Sequence, residues 1–433
     1  MDNRFTEIST MELYERLDSP DVQIIDVRPI DAYNGWKLRS EERGGHIRGA
    51  RTLPAKWSEY IDWIEILRSK EITPDHEIVV YGYDSEETDR VAGRLKKAGF
   101  DRIKVYHDFI GEWARDKALP MDFLQRYSHL VSPHWLHELI TRGTADEYSN
   151  DDYVICHSHY RNRADYTQGH IPGAVEIDTN MLESPETWNR RSPEELEKAL
   201  EQRGISSETT VILYGRFSYP DNSDPYPGSS AGHLAAFRCA FIMLYAGVKD
   251  VRILNGGLQA WTDAGFETTS NDSKPRAVQD FGASIPSAPE LVVDLPEAKA
   301  ILESPEKNLV SVRSWREYIG EVSGYNYIEK KGRIPGSLFD DCGSDAYHME
   351  NYRNLDHTTR EFHEIEKSWR EIGVTPDKHN AFYCGTGWRG SEAFVNAWLM
   401  GWPHISVYDG GWFEWSSDEK NPIETGIPES AAD

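Results

Sequence analysis

The sequence predicts three tandem α/β domains, each built on a mainly parallel sheet flanked by helices. Three observations carry this. A Gly-x-Ile-x-Gly-small turn occurs three times: Gly45-His46-Ile47-Arg48-Gly49-Ala50, Gly169-His170-Ile171-Pro172-Gly173-Ala174 and Gly332-Arg333-Ile334-Pro335-Gly336-Ser337. A short apolar run precedes each turn, and a second run ending in Tyr follows it. A helix-like stretch and a third run then lead to a Trp. Self-similarity of this kind is the signature of repeated domains. Strand runs alternating with helical patterns build βαβ units, which pair in parallel.

In the first repeat the strand runs are Val22-Gln23-Ile24-Ile25-Asp26-Val27-Arg28, Ile78-Val79-Val80-Tyr81-Gly82 and Lys104-Val105-Tyr106, closing at Trp113. In the second they are Tyr153-Val154-Ile155-Cys156, Val211-Ile212-Leu213-Tyr214-Gly215 and Val251-Arg252-Ile253-Leu254, leading through Gly256-Gly257 to Trp261. The register puts Cys156 where the first repeat has Asp26. In the third they are Leu309-Val310-Ser311-Val312-Arg313, Ala381-Phe382-Tyr383-Cys384-Gly385 and Ser406-Val407-Tyr408, leading through Gly410-Gly411 to Trp415. Gly82 to Trp113 and Cys384 to Trp415 span equal lengths, whereas Gly215 to Trp261 is 15 residues longer. The Pro-, Ser- and Asp-rich stretch Ser218–Ser230 accounts for the excess as a surface loop. The expected domains are 1–129, 130–268 and 290–433, with 269–289 as a linker.

Composition narrows the function. A net charge of −26 over 433 residues disfavours nucleic acid, whose phosphates need clustered Lys and Arg. Mean hydropathy is −0.64, and no apolar run is long enough to span a bilayer, so no membrane partner is expected. The first residues lack the basic-then-apolar pattern of a secretory signal. Cys156, Cys239, Cys342 and Cys384 lie far apart without a C-x-x-C pair, which fits a reducing cytoplasm.

One loop carries chemistry. Only the third repeat places a cysteine after the strand Tyr: Cys384-Gly385-Thr386-Gly387-Trp388-Arg389. Ala393, Phe394, Val395, Ala397, Trp398 and Leu399 then give a helix with an apolar face, ended by Gly401. Loop N–H groups and a helix N-terminus favour thiolate, the nucleophilic form of cysteine. The spacing Cys-x4-Arg is one residue shorter than the loop of cysteine phosphatases. A smaller guest, the outer sulfur of a persulfide, suits the ring formed by Gly385, Thr386, Gly387, Trp388 and Arg389. Arg389 braces the loop or balances its charge. Cys239 reads as core, and Cys342, in a polar loop, is a candidate for proximity to the site.

The turn, the Cys-x4-Arg loop and the Gly-Gly-x-x-x-Trp ending resemble the rhodanese family of sulfurtransferases over nearly the whole chain. Cys384-Gly385-Thr386-Gly387-Trp388-Arg389, with Ser314-Trp315-Arg316-Glu317-Tyr318 and Ser323-Gly324-Tyr325-Asn326-Tyr327, looks like the triple-rhodanese subgroup. That resemblance implies a sulfane sulfur carried on Cys384 as a persulfide, with no other cofactor, and two inactive domains, because Gly82 and Gly215 replace the cysteine. Gly385 stands where many thiosulfate-using members have Arg or Lys, which favours polysulfide over thiosulfate as donor. Within the subgroup the chain looks more like the anaerobic-type ergothioneine synthases, which pass sulfur to the imidazole carbon of hercynine, than like the thiosulfate sulfurtransferases. Tyr325 is then the candidate to handle a ring proton and Thr386 to hold the ring. Glu317, Tyr347 and Tyr383 are candidates to receive the trimethylammonium end, with Trp315 and Trp388 nearby. Both partners are small molecules; the oligomeric state is not legible. A non-catalytic rhodanese scaffold is the rival of another class.

Two motifs are read as structural. Cys156-His157-Ser158-His159 has no second cluster at zinc spacing, and no metal site is expected. His46 and His170 belong to the repeated turn.

Overall fold

The computed structural model describes residues 5–217 and 231–428, so the expected insertion loop Ser218–Ser230 lies outside the described residues. The chain divides into two compact units, Met1–Ser128 and His129–Asp433.

In the first unit, beside an antiparallel pair of two-residue strands, His46–Ile47 and Met121–Asp122, the main sheet holds five strands, β1 (Thr6–Glu7), β2 (Val22–Asp26), β3 (Arg51–Thr52), β4 (Glu77–Tyr81) and β5 (Ile103–Tyr106). They lie in the order β1-β5-β4-β2-β3, every neighbouring pair parallel. The branched runs Ile24-Ile25 and Ile78-Val79-Val80 are buried, as both faces of a parallel sheet must be covered. Helix α1 (Ser85–Lys97) is capped by the Asp84 side chain and buries Thr88, Val91, Ala92 and Leu95, one stripe at helical spacing.

The second unit contains two more sheets. One is built from β6 (Leu130–Val131), β7 (Tyr153–His159), β8 (Val175–Asp178), β9 (Thr210–Tyr214) and β10 (Asp250–Leu254). The other has β11 (Val292–Val293), β12 (Lys307–Arg313), β13 (Leu338–Asp341), β14 (His379–Tyr383) and β15 (Ile405–Tyr408). Their orders, β6-β10-β9-β7-β8 and β11-β15-β14-β12-β13, repeat that of the first sheet, again all parallel. Each sheet thus has two short edge strands beyond the three that the sequence signals.

Two helices join the second and third sheets into one unit. Helix α2 (Gly232–Ala246) is apolar on every face and buried on nearly every face, as such a helix must be. It meets its counterpart in the third repeat, the equally buried α4 (Trp388–Leu399), with Phe241 set edge-on to Phe394 at 5.2 Å. Between them in sequence comes α3 (Trp315–Tyr318), a single turn started by a Ser314–Glu317 capping box. A last helix, α5 (Gly411–Ser417), begins at the second glycine of the Gly410-Gly411 pair. The 269–289 segment packs along the second sheet's domain: Val278 N–H donates to the Glu201 carbonyl, and Phe281 is fully buried.

The repeated residues recur because each satisfies a buried polar group. The strand-ending phenol of Tyr81 accepts from the Ile47 N–H (3.1 Å) and that of Tyr214 from the Ile171 N–H (2.9 Å). The phenol of Tyr383 meets the Ser337 hydroxyl at 2.9 Å. The closing indoles of Trp113, Trp261 and Trp415 each donate to a nearby carbonyl. His46 and His170 stack on Tyr33 and Tyr166 at 3.6 and 3.7 Å and bond the same residues' carbonyls.

The register corrects one expectation. Asp26 pairs with Tyr81, and the residue paired with Tyr214 is His157, not Cys156. Cys156 lies one position earlier, on the opposite face of β7 from His157.

A cysteine cannot simply be restored in the second domain. A Cβ on Gly215 would stand 2.1 Å from the Gly232 carbonyl oxygen. Phe217, two residues on, is stacked between His233 (4.4 Å) and His357 (4.2 Å). Gly215→Cys is expected to destabilise the fold by about 1–3 kcal/mol through overpacking and to take up no sulfur from polysulfide. Thermal unfolding and peptide mapping check both.

Candidate active site

Cys384 follows the last residue of β14 and precedes α4. That places a fully buried sulfur-bearing side chain between a strand end and a helix N-terminus. Gly387 caps α4 with φ +86, a left-handed conformation that glycine adopts without strain. The loop is held from its far side by α5. The Trp412 N–H donates to the Cys384 carbonyl (2.8 Å) and the Phe413 N–H to the Gly385 carbonyl (2.9 Å). Gly411, with φ +54, allows this approach, since a Cβ there would lie 2.7 Å from the Cys384 oxygen.

Gly385 has no room for a side chain. A Cβ built on it would sit 2.2–2.4 Å from Cε2, Cζ and the hydroxyl of Tyr325. The Tyr325 ring therefore lies directly against the loop, one residue beyond Cys384. Its oxygen accepts from Arg389 Nη2 (2.9 Å). Burial raises the phenol well above its usual range, Arg389 opposes, and Cys384 and Glu317 add to the rise. It stays protonated at neutral pH, with its own proton left to donate elsewhere.

Arg389 is fully buried and makes a two-toothed pair with Glu317, Nη1 to Oε2 and Nη2 to Oε1, both at 2.9 Å. Nη1 also donates to the Asp345 carbonyl (2.9 Å) and lies 3.5 Å from the Cys342 sulfur. Glu317 further accepts from Arg313 Nε (3.3 Å) and from the Ser314 N–H (3.1 Å) and hydroxyl (2.8 Å). Burial alone would raise its carboxyl, but Arg389 and Arg313 outweigh that and hold it at about 2. Glu317 is thus a buried anion with both oxygens engaged. It is placed to hold Arg389, and through Arg389 the phenol of Tyr325, where the sequence suggested a carboxylate open to a substrate cation.

Tyr383 is likewise engaged within the fold. Its side chain is fully buried, bonded to Ser337, and repeats the structural role of Tyr81 and Tyr214 in the two domains that lack the cysteine. It holds the repeated turn through the Ser337 hydroxyl. Trp315 packs on Tyr318 and Phe339 instead of joining the loop.

Tyr347 is near the site, edge-on to Tyr325 with ring centres 6.0 Å apart. Tyr327, which sequence reasoning did not single out, lies 5.3 Å from Tyr325. The second domain completes the surround. Trp188 stacks on Tyr327 (4.4 Å, 18°) and meets Phe413 edge-on (5.1 Å), and Tyr160 is edge-on to Trp388 (5.4 Å). Beneath these rings runs a buried ionic chain. Arg238 Nε donates to Glu183 (2.9 Å), Nη2 donates to the Trp188 carbonyl (2.6 Å), and Nη1 pairs with Asp409 (2.7 Å). Glu183 accepts the Trp388 indole N–H at 3.0 Å, and Asp409 accepts from the Arg190 backbone and side chain.

The structure therefore brings together Cys384, Gly385, Thr386, Gly387, Trp388, Arg389, Tyr325 and Tyr347. It adds Tyr327, Tyr160, Trp188, Glu183, Arg238 and Asp409. Cys342 packs behind Arg389, fully buried, its thiol pushed upward by burial. A signal for Arg238 existed: it is the single charge in an otherwise apolar helix.

Three copies of one parallel sheet, with a cysteine loop in the last, define a multidomain rhodanese. The Rhodanese-like domain model matches residues 9–116, 132–264 and 294–418, and the chain belongs to this family. It is a rhodanese-type sulfurtransferase, an enzyme. Among its relatives, thiosulfate sulfurtransferase YnjE of Escherichia coli (strain K12) is 40% identical over 416 residues, covering 95% of this chain and 91% of that one. Among solved structures, wild-type EanB is 60% identical with a TM-score of 0.96, covering 98% of this chain and 99% of that one. An EanB variant with a cysteine persulfide, in a tetrahedral intermediate state with ergothioneine, gives the same TM-score and identity, covering 98% and 100%. Another EanB structure contains hercynine. Among the described residues of this chain, no helix is long and apolar enough to cross a membrane.

The Glu317 carboxyl makes stability depend on acid. Its folded value of about 2 lies below the ordinary 4.5, so its contribution is complete above pH 4.5 and is lost as pH falls toward 2. Glu317→Gln is expected to cost about 3 kcal/mol at neutral pH by leaving Arg389 and Arg313 unpaired. The gap from wild type narrows between pH 4.5 and 2, which urea unfolding across that range measures.

Proposed function

We propose that Cys384 takes a sulfane sulfur from polysulfide as a persulfide and passes it to the imidazole carbon of hercynine, forming ergothioneine. The observation that carries this is Tyr325. It is a phenol kept protonated by burial, its oxygen held by Arg389 and its ring laid over Gly385 beside the sulfur carrier. Such a group donates a hydrogen bond to an imidazole nitrogen and returns a proton when needed. The EanB structures that hold hercynine, ergothioneine and a cysteine persulfide support the reading, at 59–60% identity.

The steps balance without another cofactor. The Cys384 thiolate attacks a sulfur of the polysulfide; one S–S bond forms, another breaks, and a polysulfide shorter by one sulfur leaves. In the second step the carbon between the ring nitrogens loses its proton, and its electron pair bonds the outer sulfur. The S–S bond breaks, and the departing Cys384 thiolate takes up the proton released by the ring carbon. Hydrogen bonding from Tyr325 to a ring nitrogen makes that C–H bond more acidic. Thr386 positions the ring. The trimethylammonium end suits the ring faces of Tyr327, Tyr347 and Trp188. Glu317 acts only through Arg389.

Thiosulfate sulfurtransfer, the activity named for YnjE, is the second reading. Two features weigh against it. Arg389 beside the loop is neutralised by Glu317, and position 385 offers no cation to a dianionic donor.

Product analysis with polysulfide and hercynine, against thiosulfate and cyanide, tests the choice. The wild type is expected to make ergothioneine, and Cys384→Ser to make none. Brisk thiocyanate formation without ergothioneine gives the case to the second reading. Tyr325→Phe is expected to load sulfur on Cys384 normally but to slow its transfer to the ring by roughly 10²-fold. Gly385→Ala, which pushes the phenol aside, should show the same split more weakly. Quenched-flow measurement of loading and transfer separates the two steps.

A further inference from the structure

The second domain has glycine where the third has its cysteine, yet its Arg238 touches both supports of the Cys384 loop. We infer that Arg238 and Glu183 are positioning residues for the sulfur-transfer loop, acting through the Trp388 indole and Asp409. This rests on the reading of Cys384 as sulfur carrier.

Four contacts carry it. Glu183, fully buried on the second domain, accepts the indole N–H of Trp388, the first residue of α4 and the fourth after Cys384. Arg238, also fully buried, aligns Glu183 through Nε. Arg238 Nη1 pairs with Asp409 and would lie 2.9 Å from any Cβ on Gly387, so the guanidinium abuts the turn itself. Asp409 directly precedes Gly410-Gly411, whose turn aims the Trp412 and Phe413 N–H groups at the carbonyls of Cys384 and Gly385. One guanidinium therefore fixes the exit of the loop and the strut behind it.

The same group sets the neighbouring wall. Trp188 has φ +57, a conformation a bulky residue adopts only when its surroundings impose it. Arg238 Nη2 bonds the Trp188 carbonyl, and the Trp188 ring lies on Tyr327, which lies in turn 5.3 Å from Tyr325. A shift of this chain moves the acceptor wall and the sulfur loop together. Misplacement of reacting groups by about 1 Å slows chemistry by up to 10²-fold.

The test uses the full chain with two conservative variants. Trp388→Phe removes the indole N–H while keeping an aromatic ring against Tyr160. Glu183→Gln removes the charge at the same size. Each is loaded with polysulfide, Cys384 persulfide is quantified by mass spectrometry, and single-turnover transfer to hercynine is timed. Both variants should load to the wild-type level yet transfer roughly tenfold more slowly, with kcat lowered and the KM for hercynine little changed. A purely structural role would lower loading and transfer together. Wild-type transfer rates in both loaded variants, or parallel loss of both steps, overturn this inference alone. Failure of the wild type to load Cys384 overturns the underlying reading and this one with it.

Discussion

The bidentate pair between Arg389 and Glu317 is the constraint on which the site depends. Both groups are taken wholly out of water, a large cost that only dense compensation offsets. Here Arg313, the Ser314 backbone and hydroxyl, and the Asp345 carbonyl supply that compensation. The pair ties the start of the α4 helix to α3 and to the segment after β13. It also leaves one Arg389 donor for the Tyr325 oxygen. The phenol, the loop glycine beneath it and the sulfur carrier are thereby held in one arrangement. The cation next to the loop is already matched by an anion, so the site is shaped for hydrogen bonding and ring packing more than for attracting a dianion.

Three sheets of identical order show that topology alone does not confer the chemistry. All three keep the Tyr at the strand end, the repeated turn and the closing Trp, because each meets a buried polar requirement. The third adds a cysteine at the loop, and its neighbour in the same unit adds a buried helix whose single charge reaches the loop's supports. The second domain is in this sense a half of the site from which the sulfur carrier has been omitted.

Much of this was legible in the sequence, for reasons that can be named. The turn, the Tyr and the Trp repeat visibly since each marks a hydrogen bond that every copy must make. The Cys-x4-Arg loop was legible because its glycines and cysteine have few structural substitutes. The edge strands β1, β3, β6 and β11 were not, being two residues long and carrying no periodicity. By sequence, Glu317 and Tyr383 are candidates for the substrate because a quaternary ammonium suits a carboxylate and aromatic faces. Yet the Ser314-x-x-Glu317 spacing is a capping box, and Tyr383 recurs as Tyr81 and Tyr214 in domains without the cysteine. Both facts point to structural duty. The contributions of Glu183, Arg238 and Trp188 come from a different repeat, and pairing between helices of two domains leaves little local trace.

In the proposed reaction one sulfur rests on Cys384 and leaves it for an imidazole carbon. The direct measurement is to load the full chain with isotopically labelled polysulfide, remove all free donor, add hercynine, and follow the label by mass spectrometry. Label on the Cys384 peptide is expected to disappear as labelled ergothioneine appears, mole for mole, with Cys156, Cys239 and Cys342 unlabelled throughout. Label retained on Cys384 while hercynine stays unchanged, or ergothioneine formed from label on another cysteine, would contradict it.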